Sequence, residues 1–132
     1  MTTQEFQNAI LRWFYTSGRD SLPWQKNISA YSVWISEVML QQTRVSTVIP
    51  YFERFVLRFP DVSELSNASI DEVLHYWTGL GYYARARNLH RTALIVANQL
   101  DGCFPSEIET LITLPGIGRS TAGAIRSIAF KK

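Results

Sequence analysis

Apolar residues in this chain recur at spacings of three and four, and no alternating run bounded by turn signals reads as a strand. That periodicity limits the fold more than any other feature. Phe6, Ile10, Trp13 and Phe14 lie at helical spacing, and Gly18 ends that element. "SLPWQKNIS" follows as a loop. Helical spacing resumes from Tyr31 through Val33, Trp34, Val38 and Met39, with Glu37 among them. A second amphipathic stretch runs from Val45 to Phe59 and closes at Pro60; Pro50 inside it suits a helix only near the first turn. Ser69 with Glu72 three residues on has the form of a capping box before an apolar run. "TGLGYY" reads as a glycine hinge, and "YARARNLHRTALIVANQLDG" as a long helix ended by Gly102. Pro105 and Ser106 open a short helix, with Glu109 completing a second capping box. The expectation is an all-α fold of roughly seven to eight helices with short loops, a single helical domain over 1–132 without an internal boundary.

The totals exclude several classes. At 46% hydrophobic and 13% aromatic, the 132 residues can fill a core and do not read as disordered. No apolar run approaches the roughly 18 residues needed to cross a bilayer. "MTTQEFQNAILRWF" lacks the basic start and apolar block of a secretory signal. A single cysteine, Cys103, excludes an internal disulfide and a multi-cysteine metal site within these residues. The expectation is a soluble protein of a reducing, cytoplasmic compartment. The net charge of +2 is unevenly placed: six Lys/Arg stand against eight Asp/Glu up to Thr78, and seven against three from Gly79 onward. A basic C-terminal part suits a polyanionic partner.

"TLPGIGRSTAGAI", Thr113 to Ile125, joins two short helical patterns. Pro115 cannot continue the helix before it. Gly116 and Gly118 permit positive φ and clear side chains from the backbone. The following helix begins near Arg119, and the free amides at such a helix start make a phosphate-sized site. Arg119, Ser120 and Thr121 add donors. The bland alternative is an ordinary tight connection between helices.

Other residues carry chemistry with a plain reading beside each. Glu37 is a carboxylate in the otherwise apolar "VWISEVML". It is either an exposed helix residue or a buried acid able to hold a proton near neutrality. Tyr82 and Tyr83 either pack in the core or wedge between bases. Arg87 and Arg91 share a helix face four residues apart, as phosphate contacts or as a solvated face, while Arg85 points elsewhere. His75 and His90 are surface or packing residues, and Cys103 packs in a loop.

The string L-P-G-I-G-x-x-T-A resembles the helix-hairpin-helix element, which holds a DNA backbone through amides and reads no base. Together with "LPW" at 22–24, "SEVMLQQTRVSTVIPYFERF" at 36–55 and "WTGLGYYARARNL" at 77–89, it makes the chain similar to bacterial adenine DNA glycosylases of the helix-hairpin-helix superfamily. The resemblance runs from about residue 5 to the last. It implies the six-helix-barrel part of that fold, with the hairpin at 111–128. It implies base excision repair: hydrolysis of the bond between sugar and adenine mispaired with 8-oxoguanine or guanine, after the base has left the duplex. Glu37 is then the general acid, protonating an adenine ring nitrogen, and Trp24 and Leu40 line the adenine pocket. Tyr82 inserts beside the base opposite the target, with Gln42 near the same step. Arg87, Arg91, Gly116, Gly118, Arg119, Ser120 and Thr121 contact DNA. Gln25 stands where many members carry arginine, and this sequence departs from the pattern there. The thymine-glycol branch of the superfamily carries a lysine nucleophile at the position of Ser120, and no lysine lies between Lys26 and Lys131, which favours a hydrolase over a lyase.

In the resembled enzymes the chain continues past the hairpin to a catalytic aspartate, four cysteines holding a [4Fe–4S] cluster, and a domain that recognises 8-oxoguanine. These 132 residues hold one cysteine, and their last acidic residue is Glu109. The expectation is therefore an N-terminal fragment with an incomplete catalytic core and no cofactor of its own. Its partner is double-stranded DNA with a mispaired adenine, bound with little or no base release. Its setting is the bacterial cytoplasm with the nucleoid, away from membranes. Apolar surface around Phe6, Ile10 and Trp13 would favour self-association. The competing reading is a non-catalytic helix-hairpin-helix DNA-binding module in which Glu37 is incidental.

Overall fold

The computed structural model describes residue 23 and residues 28–131. The helix expected around Phe6 to Phe14, the self-associating surface built on it, and the pocket residue Trp24 lie outside the described residues. Helix α1 (Ala30–Leu40) starts at Ser29, whose hydroxyl accepts from Ser32 N at 3.0 Å while Ser32 Oγ accepts from Ser29 N at 3.0 Å. That reciprocal pair satisfies two N–H groups the helix start would otherwise leave open. Every residue from Tyr31 to Leu40 is buried, so α1 is the central helix around which the others pack.

Helix α2 (Val45–Arg58) turns Val48, Phe52 and Phe55 inward at helical spacing. Pro50 sits deeper than expected, in the second turn of α2. Its side is exposed and the helix is held by its buried face, so the loss of one backbone bond is tolerated there. Helix α3 (Val62–Asn67), capped by Asp61, and helix α4 (Ile70–Trp77), capped by Ser69, both rest on helix α5 (Tyr83–Gln99). Ser69 Oγ accepts from Glu72 N at 3.1 Å, but the reciprocal half of that capping box does not form. The Glu72 carboxylate is instead held by both nitrogens of the Arg58 fork, at 2.6 and 2.9 Å. Helix α5 ends where Asp101 and Gly102 take positive φ and Gly102 N returns to Val96 O at 2.8 Å.

Helix α6 (Ile108–Leu111) begins later than the expected opening at Pro105 and Ser106: its N-cap is Glu107, which makes no side-chain cap bond. Helix α7 (Arg119–Ala124) runs directly into a π-helical turn, Ile125–Ala129. Among the described residues there are seven α-helices and no strand. Trp34, Met39, Phe55, Phe59, Trp77 and Leu89 form the large side chains of one core, with rings of Phe55, Phe59 and Trp77 in edge and tilted contact. No described helix is long and apolar enough to cross a membrane.

Candidate functional site

Central helix α1 packs against α2 on one side and against α7 with its π-turn on another. Glu37 lies in this helix at 4% exposure, the one buried carboxylate among the described residues. The exposed-residue alternative is thereby removed. One turn further along the same face of α1, Gln41 Nε2 donates to Thr121 Oγ1 on α7 at 3.3 Å. The face of α1 that carries the acid is therefore the face turned toward the helix that follows the hairpin. Leu40, expected in the base pocket, is buried at the end of α1.

The hairpin has the backbone its sequence demands. Gly116 takes φ +77, and Gly118 caps α7 in extended geometry. A helix leaves the amides of its first turn without intrahelical acceptors, and here Ala122 N reaches Gly118 O at 2.9 Å. Gly118 and Arg119 are exposed, and Ser120 is partly so. Thr121 is buried against Gln41, so it holds α7 in place more than it faces outward. Arg119 lies within 3.7 Å of Glu109 across the hairpin, with both side chains largely in water, a pair of little energetic weight.

Helix α5 supplies the floor of the hairpin. Thr92 Oγ1 donates to Pro115 O at 2.7 Å from a buried position. The side chain of Asn88 lies under Gly116 so closely that a Cβ at 116 would stand 3.0 Å from Asn88 Cβ. Arg91 Nη1 donates to Asn88 Oδ1 at 3.3 Å, which ties Arg91 to the residue under the hairpin, and Arg87, four residues before it, is exposed on α5. A cleft of about 160 Å³ remains between these parts, lined by Val38, Gln41, Arg85, Asn88 and Gly116.

Two turns bring exposed side chains to this side. Gln42 follows α1 with φ +58, and Tyr82 precedes α5 with φ +52. Both are non-glycine residues in the left-handed region, which L side chains rarely occupy. Tyr82 is 62% exposed and Tyr83 is also exposed, so neither is the core aromatic that was one of the readings. The Tyr82 turn is braced from below: Trp77 Nε1 donates to Gly81 O at 3.1 Å, and Tyr51 Oη donates to Thr78 O at 2.8 Å. Sequence reasoning missed the supporting set of Gln41, Asn88 and Thr92. It also set Arg85 aside, although its half-buried guanidinium donates to four backbone carbonyls. Burial draws that guanidinium below the usual arginine range, with Tyr82 opposing.

Residues 35–131 match the family described as HhH-GPD superfamily base excision DNA repair protein. The chain belongs to the HhH-GPD superfamily. It is 50% identical over 129 residues to an adenine DNA glycosylase of Buchnera aphidicola subsp. Acyrthosiphon pisum, covering 98% of this chain and 37% of that protein. It is 46% identical over 134 residues to the adenine DNA glycosylase of Homo sapiens, covering 95% of this chain and 24% of that protein. The chain thus spans between about a quarter and somewhat over a third of the length of these relatives. Among solved structures, a thermostable thymine-DNA glycosylase superposes with a TM-score of 0.79 at 23% identity, covering 98% of this chain and 60% of that one. A non-covalent Endonuclease III–DNA complex superposes at 0.74 with 21% identity, covering 99% and 62%. These likenesses fix the superfamily fold. A [4Fe–4S] cluster takes four thiolates, and Cys103, exposed rather than packed, is the single cysteine of these residues. They do not fit such a cluster.

Proposed function

We propose that these residues form the DNA-gripping, acid-bearing part of an adenine-specific DNA glycosylase. The observation that carries the reading is the burial of Glu37 on the face of α1 turned toward the hairpin helix. Half-identity to adenine DNA glycosylases over nearly the whole chain supports it. Amides at the start of α7, with Gly116, Gly118, Arg119 and Ser120, hold one strand's phosphates. Arg87 and Arg91 extend that contact along α5. Tyr82 and Gln42 enter the stack, which offsets the few kcal/mol that extruding a base costs. Adenine mispaired with 8-oxoguanine or guanine then enters a pocket bordered by Leu40 and Trp24.

In that pocket a carboxyl kept from water retains its proton more readily than one in solvent. Glu37 passes the proton to a ring nitrogen of adenine, the bond from sugar to base breaks, and its electron pair leaves with the base. Water adds to the sugar cation and returns a proton to the Glu37 carboxylate. A serine at 120 offers no amine for a Schiff base, so the product is a base-free sugar with the strand intact. The positive sugar needs a second carboxylate, and these 132 residues hold none beyond Glu109. On their own they bind duplex DNA and release little or no base.

Fluorescence anisotropy of a labelled duplex tests the binding half. The expected result is salt-sensitive binding that Tyr82→Gly weakens without lowering the melting temperature. Binding indifferent to Tyr82 and to salt would refute the proposed face.

A further inference from the structure

The two exposed left-handed residues, Gln42 and Tyr82, belong to turns 40 residues apart, yet one side chain holds both. Arg85 Nη1 donates to Val38 O at 2.5 Å, to Met39 O at 3.3 Å and to Gln41 O at 2.7 Å. Its Nη2 donates to Gly81 O at 3.4 Å. Gln41 O is the carbonyl immediately before Gln42, and Gly81 O is the carbonyl immediately before Tyr82. The guanidinium lies between aromatic rings, 5.5 Å from the centroid of buried Trp77 and 5.4 Å from that of Tyr82.

The chemistry suits this task and little else. A helix end leaves its last carbonyls without intrahelical donors, and α1 has no basic residue of its own in its last turn. Arg85 supplies that charge from α5, where it stands in the first turn. A cation is electrostatically misplaced at a helix start and well placed at a helix end. The planar fork can donate to several acceptors at once, whereas an ammonium is a single point. With both Nη nitrogens turned to backbone carbonyls, this half-buried guanidinium spends those donors within the fold and not on a phosphate.

We propose that Arg85 is a positioning residue that locks the Gln42 and Tyr82 turns into one rigid unit, so that both side chains meet DNA together. This rests on the DNA-binding reading above. Each turn carries a backbone conformation costing of order 1 kcal/mol or more when nothing over-determines it. The shared guanidinium is what over-determines both. Losing it frees the two turns together, although they touch different elements.

The test is a double-mutant cycle on the 132-residue chain. Binding to a duplex bearing adenine opposite 8-oxoguanine is read by anisotropy for the parent, Arg85→Lys, Gln42→Ala/Tyr82→Ala, and the triple variant. Hydrogen exchange of 40–44 and 80–84 is read alongside. Arg85→Lys keeps the charge and loses the fork. It is expected to weaken binding by roughly fivefold or more in the parent and to add almost nothing once Gln42 and Tyr82 are alanine. Exchange at both stretches is expected to rise together, with the remaining core unchanged. An equal loss in both backgrounds would mean that Arg85 contacts DNA itself or acts only through global stability, and would overturn the proposal. Exchange rising at one stretch alone would overturn it as well. A parent chain that binds no duplex would instead sink the DNA-binding reading on which the proposal stands.

Discussion

Substituting Gly116 by alanine probes the hairpin most severely for the smallest change. Two costs combine there. At φ +77 an L residue sits in the left-handed region, at about 1–2 kcal/mol relative to glycine. The new Cβ would also stand 3.0 Å from Asn88 Cβ. That neighbour is no flexible tip: it is the first side-chain carbon of a residue in mid-α5, so the hairpin itself must lift. Overpacking of this kind costs about 1–3 kcal/mol. The sum, roughly 2–5 kcal/mol, is a large part of a domain stability of about 5–15 kcal/mol. Urea and thermal melting by far-ultraviolet circular dichroism would read it. Two controls isolate the causes. Gly118→Ala, at φ −89 with nothing near an added Cβ, is expected to change stability by less than about 1 kcal/mol. Asn88→Ala keeps its Cβ and rescues nothing, whereas Asn88→Gly in the Gly116→Ala background removes the contact and restores part of the loss beyond its own helix penalty. A Gly116→Ala chain that melts with the parent would refute the close-approach argument.

Tyr82→Gly tests the opposite balance. Relief of the left-handed φ is expected to leave stability equal or raise it by up to about 1 kcal/mol, while duplex affinity falls; a destabilised variant with unchanged affinity would contradict this. Tyr31 concerns the core. Its hydroxyl donates to Phe59 O at 2.6 Å, and burial, with Asp61 adding, pushes its pKa well above the ordinary value. The raised folded value means that stability is full below about pH 10 and declines as pH rises above it. Tyr31→Phe is expected to cost about 1–2 kcal/mol at neutral pH and to flatten part of the alkaline decline in a pH series of urea melts. An unchanged alkaline slope would contradict the assignment.

The parts of the site legible in sequence were those with a backbone requirement or a chemical oddity. Gly116 and Gly118 around a helix start announce the hairpin because few other residues fit. Glu37 stands out because α1 is otherwise apolar, and its burial follows from the position of α1 at the centre. Helix α3 gave no periodicity because six residues are too few to show one. Pro50 falls a turn deeper than propensity allows because the buried face of α2 outweighs one lost bond. Glu72 leaves its capping role because Arg58 offers two charge-assisted bonds. The task of Arg85 was hidden for a different reason: its acceptors are backbone carbonyls up to 47 residues away, and a carbonyl has no letter in the sequence. The one legible hint was a cation in the first turn of a helix. Tyr82 and Tyr83 both face outward because the turn geometry at 82, rather than their aromatic character, sets their direction.

The central claim is that this half-core grips a mispaired duplex and carries its acid at Glu37. The most direct measurement incubates the purified chain and its Glu37→Gln variant with a duplex holding one adenine opposite 8-oxoguanine. Binding is read first, and strand breaks after hot alkali second. The expected result is equal binding by both proteins, with breaks at the adenine absent or very few for the parent and none for Glu37→Gln. Breaks that persist with Glu37→Gln, or a parent that does not bind the duplex, would contradict the account.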